Sequence, residues 1–252
     1  MAREIITEGV VLRRWYAGEY DKWVSLLTPE HGKLRVRVRS ARKPTSKMGM
    51  LTEPLNLVRA RIIEGRAQKL IAQPQLLRGF VQMRANLERL SVALALCETL
   101  DRWLPEEHPE PAVYATLLDA LNALERGELP EQVAAQALWR WLALLGYCPD
   151  WTRCGECGAP LCSSGDTLTL MPAEGVLLCG RCAKAREGIP LSHEAIALLR
   201  AWTQDEPPPA SVSPEIARSL MRAALRYAES ALESPVHWLE FLERLSAMRV
   251  SG

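Results

Sequence analysis

Lys33-Leu34-Arg35-Val36-Arg37-Val38-Arg39 alternates apolar and cationic side chains with a strict period of two. Successive side chains of a strand point to opposite faces. Leu34, Val36 and Val38 therefore face a core, while Arg35, Arg37 and Arg39 stand together on the other side. Immediately before this strand, Pro29-Glu30-His31-Gly32 has the composition of a hairpin turn, which makes Lys22–Thr28 its partner. Further runs of β type lie at Ile5–Tyr16, Leu55–Glu64 and Lys69–Leu77, separated by turn residues. Five short strands in so short a stretch fit a small closed barrel, and the OB-fold is the architecture expected.

The charge follows the same division. The chain has a formal net charge of only +1 over 252 residues, but up to residue 80 it carries 16 lysines and arginines against seven acids, about +9, which leaves about −8 for the rest. A polyanion-binding module on a mildly acidic body accounts for that asymmetry. The composition is 48% hydrophobic and 24% charged, which suits a folded globular protein throughout. No apolar run approaches the roughly 20 residues that cross a bilayer, and the first residues lack the apolar stretch of a signal peptide; a cytoplasmic location without membrane partners is expected.

Near Phe80 the apolar period becomes helical. Leu87, Leu90, Leu94, Cys97, Leu100 and Leu104 form a stripe at helical spacing. Further helices are expected at Pro111–Arg126, stopped by Gly127; Pro130–Leu145, stopped by Gly146; His193–Gln204, capped by Ser192; Pro214–Leu232, capped by Ser213; and Pro235–Met248. Asp205-Glu206-Pro207-Pro208-Pro209 reads as a stiff linker. The expected organisation is α+β: a barrel domain over 1–79 and a helical domain over 80–252, with a cysteine-bearing segment over 148–190 inserted in it.

Four of the seven cysteines stand as Cys154-Gly-Glu-Cys157 and Cys179-Gly-Arg-Cys182. Each pair puts two thiolates on one tight turn, and two such turns complete a tetrahedron around Zn²⁺. Disulfides are disfavoured by the expected cytoplasmic setting, and thioredoxin-type redox pairs by the lack of a βαβ context. Four cysteine ligands leave no open position for water or substrate, so one structural zinc per chain is expected, stiffening a segment too polar for a core of its own. A zinc ribbon can also touch DNA, but the few cations nearby favour stiffening. Cys162 fits neither pair, Cys97 reads as core and Cys148 has no assigned role.

The motifs of catalysis are missing. There is no G-x-x-x-x-G-K-[ST] loop, no G-x-G-x-x-G after a strand and no nucleophile motif, and His31, His108, His193 and His237 are scattered. A non-enzymatic protein is expected, with no catalytic residue.

The candidate nucleic-acid contacts are Lys33, Arg35, Arg37 and Arg39, continued by Arg42, Lys43 and Lys47 in the loop that follows. Such a row suits phosphates. Tyr16 and Tyr20 flank the Ala17-Gly18-Glu19 turn, where aromatic rings can stack on unpaired bases; Trp15 and Trp23 lie beside them, Trp23 suiting barrel core equally well. No base-reading motif is present, so binding without sequence preference is expected. The competing reading is a protein-interaction adaptor whose basic barrel takes an acidic protein partner rather than DNA.

The stretch from Asp21-Lys-Trp-Val-Ser-Leu-Leu-Thr28 through Pro29-Glu30-His31-Gly32-Lys33, followed by Ala41-Arg42-Lys43-Pro44-Thr45-Ser46-Lys47, resembles the N-terminal signature of the RecO family of bacterial recombination mediators. The order of modules is similar as well. The resemblance implies an OB-fold, a helical domain and a four-cysteine zinc site. It further implies work in recombinational repair: binding of single- and double-stranded DNA, annealing of complementary strands, and cooperation with RecR to load RecA onto strands covered by single-strand-binding protein, whose acidic C-terminal tail is an implied partner. Gly32-Lys33, Arg42-Lys43 and Lys47 fall on the family's basic motif, and Cys154, Cys157, Cys179 and Cys182 on its zinc cysteines. Ser40 departs from it, because the motif commonly has glycine there.

Overall fold

A computed structural model of the chain describes residues 3–43, 45–65, 67–161, 168–184, 186–204 and 212–232. The helix expected at Pro235–Met248, the linker at 205–209 and Cys162 lie outside the described residues.

Five strands close the barrel in the order β1-β2-β3-β5-β4: β1 (Arg3–Ala17), β2 (Asp21–Thr28), β3 (Gly32–Val38), β4 (Leu57–Glu64) and β5 (Lys69–Arg78). The 15-residue β1 serves two neighbours. Its first half pairs antiparallel with β4, its second half with β2, and the register shifts between Val11 and Arg13 where the strand turns from one to the other. A bulge of this kind bends a strand sharply enough to close a small barrel. The last seam is the short parallel pairing of β3 with β5, Val36 opposite Lys69 and Arg37 opposite Leu70.

The alternation in β3 is realised as expected. Leu34, Val36 and Val38 are buried in a core shared with Val11, Val24, Leu26, Val58 and Ile62, while Arg35 is exposed on the opposite face. Each such side chain removed from water contributes about 1.5–3 kcal/mol. At the β2–β3 turn Gly32 has φ +65°, and a Cβ there would lie 2.2 Å from the His108 carbonyl oxygen, so only glycine fits against that backbone.

Two short helices escape the sequence pattern, α1 (Lys47–Leu51) between β3 and β4, and α2 (Val81–Arg84) after β5. They are followed by α3 (Leu87–Trp103) and α4 (Pro111–Arg126), which pack on the barrel through β1 and β2. Together these elements form the first compact unit, Met1–Pro130. The stripe expected on α3 needs correction. Cys97, Leu100 and Leu104 are buried, but Leu87 is 65% and Leu94 42% exposed, and the inward flank is completed by Val92, Ala93 and Leu96. The helix lies against both β1 and α4, so its buried arc is broader than one heptad-like line and is turned away from Leu87 and Leu94.

The second compact unit, Glu131–Gly252, holds almost all of α5 (Pro130–Leu144), α6 (His193–Gln204) and α7 (Pro214–Leu232), and a three-stranded antiparallel sheet in the order β7-β6-β8 from β6 (Leu168–Met171), β7 (Val176–Leu178) and β8 (Ile189–Leu191). Ser192 and Ser213 cap α6 and α7, their hydroxyls accepting from Ala195 N–H at 3.1 Å and Ile216 N–H at 3.3 Å. The centre of this unit is aromatic: the fully buried Trp139 ring is stacked on Tyr227 at 5.6 Å and meets the edge of Trp151 at 5.4 Å. Among the described residues no helix is long and apolar enough to cross a membrane.

Candidate nucleic-acid interface and metal centre

Some of the barrel's cations are neutralised locally, and others form no ion pair with a carboxylate among the described residues. On β4 and the first half of β1, Arg59 pairs with Glu8 at 2.6 Å and Arg61 with Glu4 at 3.4 Å; Lys69 pairs with Glu64 at 3.8 Å and with Glu107. That side carries little net field. Two of the expected DNA contacts are also engaged in this way. Arg37 donates to Asp21 through Nε at 2.8 Å, and the Asp21 carboxyl is held below its usual range, first by the Ser40 N–H and then by Arg37. Lys33 donates to the Asp101 carbonyl oxygen, and its side chain is only 11% exposed. It anchors the hairpin to the end of α3 rather than meeting solvent.

Four of the remaining expected residues, Tyr16, Tyr20, Arg42 and Lys43, come together where the β1–β2 turn meets the loop after β3, while Arg35 stands apart on the strand face against Trp15 and Trp23. The Arg42 backbone N–H donates to the Tyr20 carbonyl at 2.9 Å, and its guanidinium to the Gly18 carbonyl at 3.1 Å. The Arg42 guanidinium lies 4.4 Å from the Tyr16 ring centre and the Lys43 ammonium 5.7 Å from that of Tyr20, with both rings exposed. Arg39 and Lys47 are exposed in the same connection. Among the described residues no carboxylate forms an ion pair with Arg35, Arg39, Arg42, Lys43 or Lys47. Sequence reasoning misses Arg14, which is ion-paired with Glu53 at 2.8 Å and also donates to the Tyr16 hydroxyl at 3.2 Å, pulling the phenol below its usual pKa; the signal is its two-residue offset from Tyr16 on one strand. Ser40, the departure from the family motif, has φ +53°, the left-handed region that glycine adopts without strain.

Lys22 belongs to neither group. Its Nζ is buried and donates to the carbonyls of Gly49 at 2.8 Å and Thr52 at 2.9 Å and to Glu53 at 2.9 Å, holding α1 over the end of the barrel. Burial lowers its pKa, and these three acceptors keep the ammonium compensated. Lys22→Met keeps the stem and orphans two carbonyls. It is expected to cost about 2–3 kcal/mol, read as a lower urea midpoint with unchanged slope; a midpoint equal to that of the parent protein would contradict the role given to Lys22.

The four paired cysteines converge. The Sγ atoms of Cys154, Cys157, Cys179 and Cys182 all lie within 4.8 Å of one another, and Cys157 and Cys179 are 3.9 Å apart. That is close to the edge of about 3.8 Å of a tetrahedron built on metal–sulfur bonds of about 2.3 Å, and far beyond a disulfide bond of about 2.05 Å. The Cys179 N–H donates to Cys154 Sγ at 3.4 Å. Burial pushes the Cys154 thiol up, but the N–H groups of Cys157, Cys179 and Glu156 outweigh it and hold the thiol down at about 6. Backbone amides turned toward sulfur stabilise thiolate, the form that ligates metal. Gly155 lets the first knuckle approach β7, because a Cβ there would lie 2.5 Å from Val176 Cβ. The set can hold one soft or borderline metal ion with no position left open.

Comparison with known proteins agrees in both halves. The Recombination protein O N terminal family matches residues 1–80, and the Recombination protein O C terminal family residues 84–240. Three relatives each bear the name DNA repair protein RecO. One from Symbiobacterium thermophilum is 30% identical over 96% of this chain and 98% of its own length. One from Nocardioides is 33% identical over 94% and 98%, and one from Cutibacterium acnes 35% identical over 78% and 82%.

Proposed function

The chain belongs to the RecO family of DNA repair proteins, and from that premise we propose that it binds single- and double-stranded DNA without sequence preference and anneals complementary strands. The observation that carries this reading is the exposed Arg42 and Lys43 beside the exposed Tyr16 and Tyr20, with Arg39 and Lys47 exposed in the same connection and none of the four in an ion pair among the described residues. Annealing requires that the repulsion between two polyanions be relieved, and it needs neither a nucleophile nor nucleotide hydrolysis. The protein acts as a scaffold and not as an enzyme. In the same reading it works with RecR in the cytoplasm, at the nucleoid, to place RecA on strands covered by single-strand-binding protein, and takes that protein's acidic C-terminal tail as a partner. The four-cysteine centre holds one structural Zn²⁺, whose role is to fix the two knuckles.

Replacing Arg42 and Lys43 together with alanine is expected to weaken binding of all oligonucleotide sequences alike. The slope of log K against log salt becomes shallower by about 0.7–0.9 for each phosphate that is no longer neutralised. Fluorescence polarisation across a salt series reads both quantities. Unchanged affinity and slope would move the basic barrel to the adaptor reading, in which it takes an acidic protein.

A further inference from the structure

The outward face of β2 and β3 carries a feature that phosphate binding does not explain. Trp15 and Trp23 are cross-strand partners, and Arg35 lies with its guanidinium 4.9 Å from the first ring centre and 5.1 Å from the second. Arg35 and Trp23 open onto a groove of about 740 Å³ whose rim also includes Glu64, Lys69, Glu106 and Glu107. This volume falls within the roughly 300–1,000 Å³ of sites that take small organic groups.

The charge of this rim differs from that of the loop. Three carboxylates stand against two cations, and one of those cations, Lys69, already pairs with Glu64 and Glu107. A phosphate gains little by entering. A flat, neutral group gains the indole face and the guanidinium plane, both of which stack on nucleobases. In a duplex the base faces are already covered by their neighbours, so only a single strand can offer one.

We propose that Trp23, backed by Arg35 and Trp15, is a platform for an unpaired base of a single strand whose phosphates run along the loop bearing Arg39, Arg42, Lys43 and Lys47. The proposal rests on the DNA-binding reading and adds the residue that separates single strands from duplex. Trp23 is half-buried on the outer face and stands outside the barrel's core cluster, so its replacement leaves that core intact.

The test uses the full-length, metal-loaded protein and three labelled probes of one length: oligo(dT), an abasic single strand and a duplex. Trp23→Ala is expected to weaken oligo(dT) binding by about 5- to 150-fold. It should leave the duplex within about twofold and the salt slope unaltered, because every cation that meets a phosphate is still in place. Trp23→Phe, which keeps a ring, should retain most of the affinity for oligo(dT). The parent protein should prefer oligo(dT) to the abasic strand, and Trp23→Ala should bind the two alike. An equal weakening on oligo(dT) and duplex, no weakening on either, or a shallower salt slope would overturn the platform while leaving DNA binding in place. A parent protein that binds none of the three probes would instead remove the DNA reading on which the platform rests.

Discussion

Cys154→Ser, or removal of metal by a strong chelator, is expected to unfold the segment around the cysteines and to lower the melting temperature by about 10 °C or more. The reason is the scarcity of other support. The three strands of this segment are only three or four residues long, and its knuckles hold together through single backbone hydrogen bonds, such as Cys154 N–H to Ala159 O at 2.9 Å and Gly155 N–H to Leu177 O at 2.9 Å. Structural zinc in small domains contributes about 10–16 kcal/mol of apparent folding free energy. Losing even about 5 kcal/mol corresponds to roughly 10–20 °C in a chain of this size. Metal analysis should return one ion per chain for the parent protein and much less for the variant. No metal in the parent, together with a Cys154→Ser melt that overlays it, would mean that the tetrathiolate is not a metal centre.

The second large effect is expected at Trp139. Its ring is fully buried against Tyr227 and Trp151, and its Nε1 donates to the Leu220 carbonyl at 3.0 Å. Truncation to alanine leaves a cavity that α5 and α7 cannot collapse around, and costs about 3–5 kcal/mol. Trp139→Phe keeps most of the packing and loses only the indole donation, at about 0.5–1.5 kcal/mol, because the Leu220 carbonyl lies inside α7 and keeps its place in the helix ladder. Urea denaturation should therefore rank the parent above phenylalanine and phenylalanine above alanine. If phenylalanine proved as costly as alanine, the hydrogen bond rather than the ring would dominate.

How much of this is legible in the sequence depends on the range over which each signal acts. The alternation from Lys33 to Arg39 places β3 and its core face, and proline, glycine and serine place the ends of α4, α6 and α7, because these signals act within a few residues. The cysteine spacing marks the four-sulfur cluster for the same reason. By contrast, α1 and α2 are too short to show a period, and Gly49 inside α1 argues against a helix. Strands β6 to β8, of three or four residues, are equally short and lie among turn residues. Charge is the least legible of all. Counting finds a cationic barrel, but which cations are already engaged depends on partners distant in sequence: Asp21 for Arg37, Asp101 for Lys33, and the carbonyls of α1 for Lys22.

The hairpin between β2 and β3 has a consequence for dissecting the molecule. Gly32 rests on the backbone of His108, Glu107 donates its N–H to the Lys33 carbonyl at 2.9 Å, and Arg84 reaches back to the Pro54 carbonyl at 2.8 Å. A fragment cut after the last barrel strand would strand these acceptors in water and uncover the apolar underside of the sheet. Anyone wishing to graft the nucleic-acid-facing half onto another protein should carry the chain through to Pro130, since the first four helices travel with the barrel as its floor.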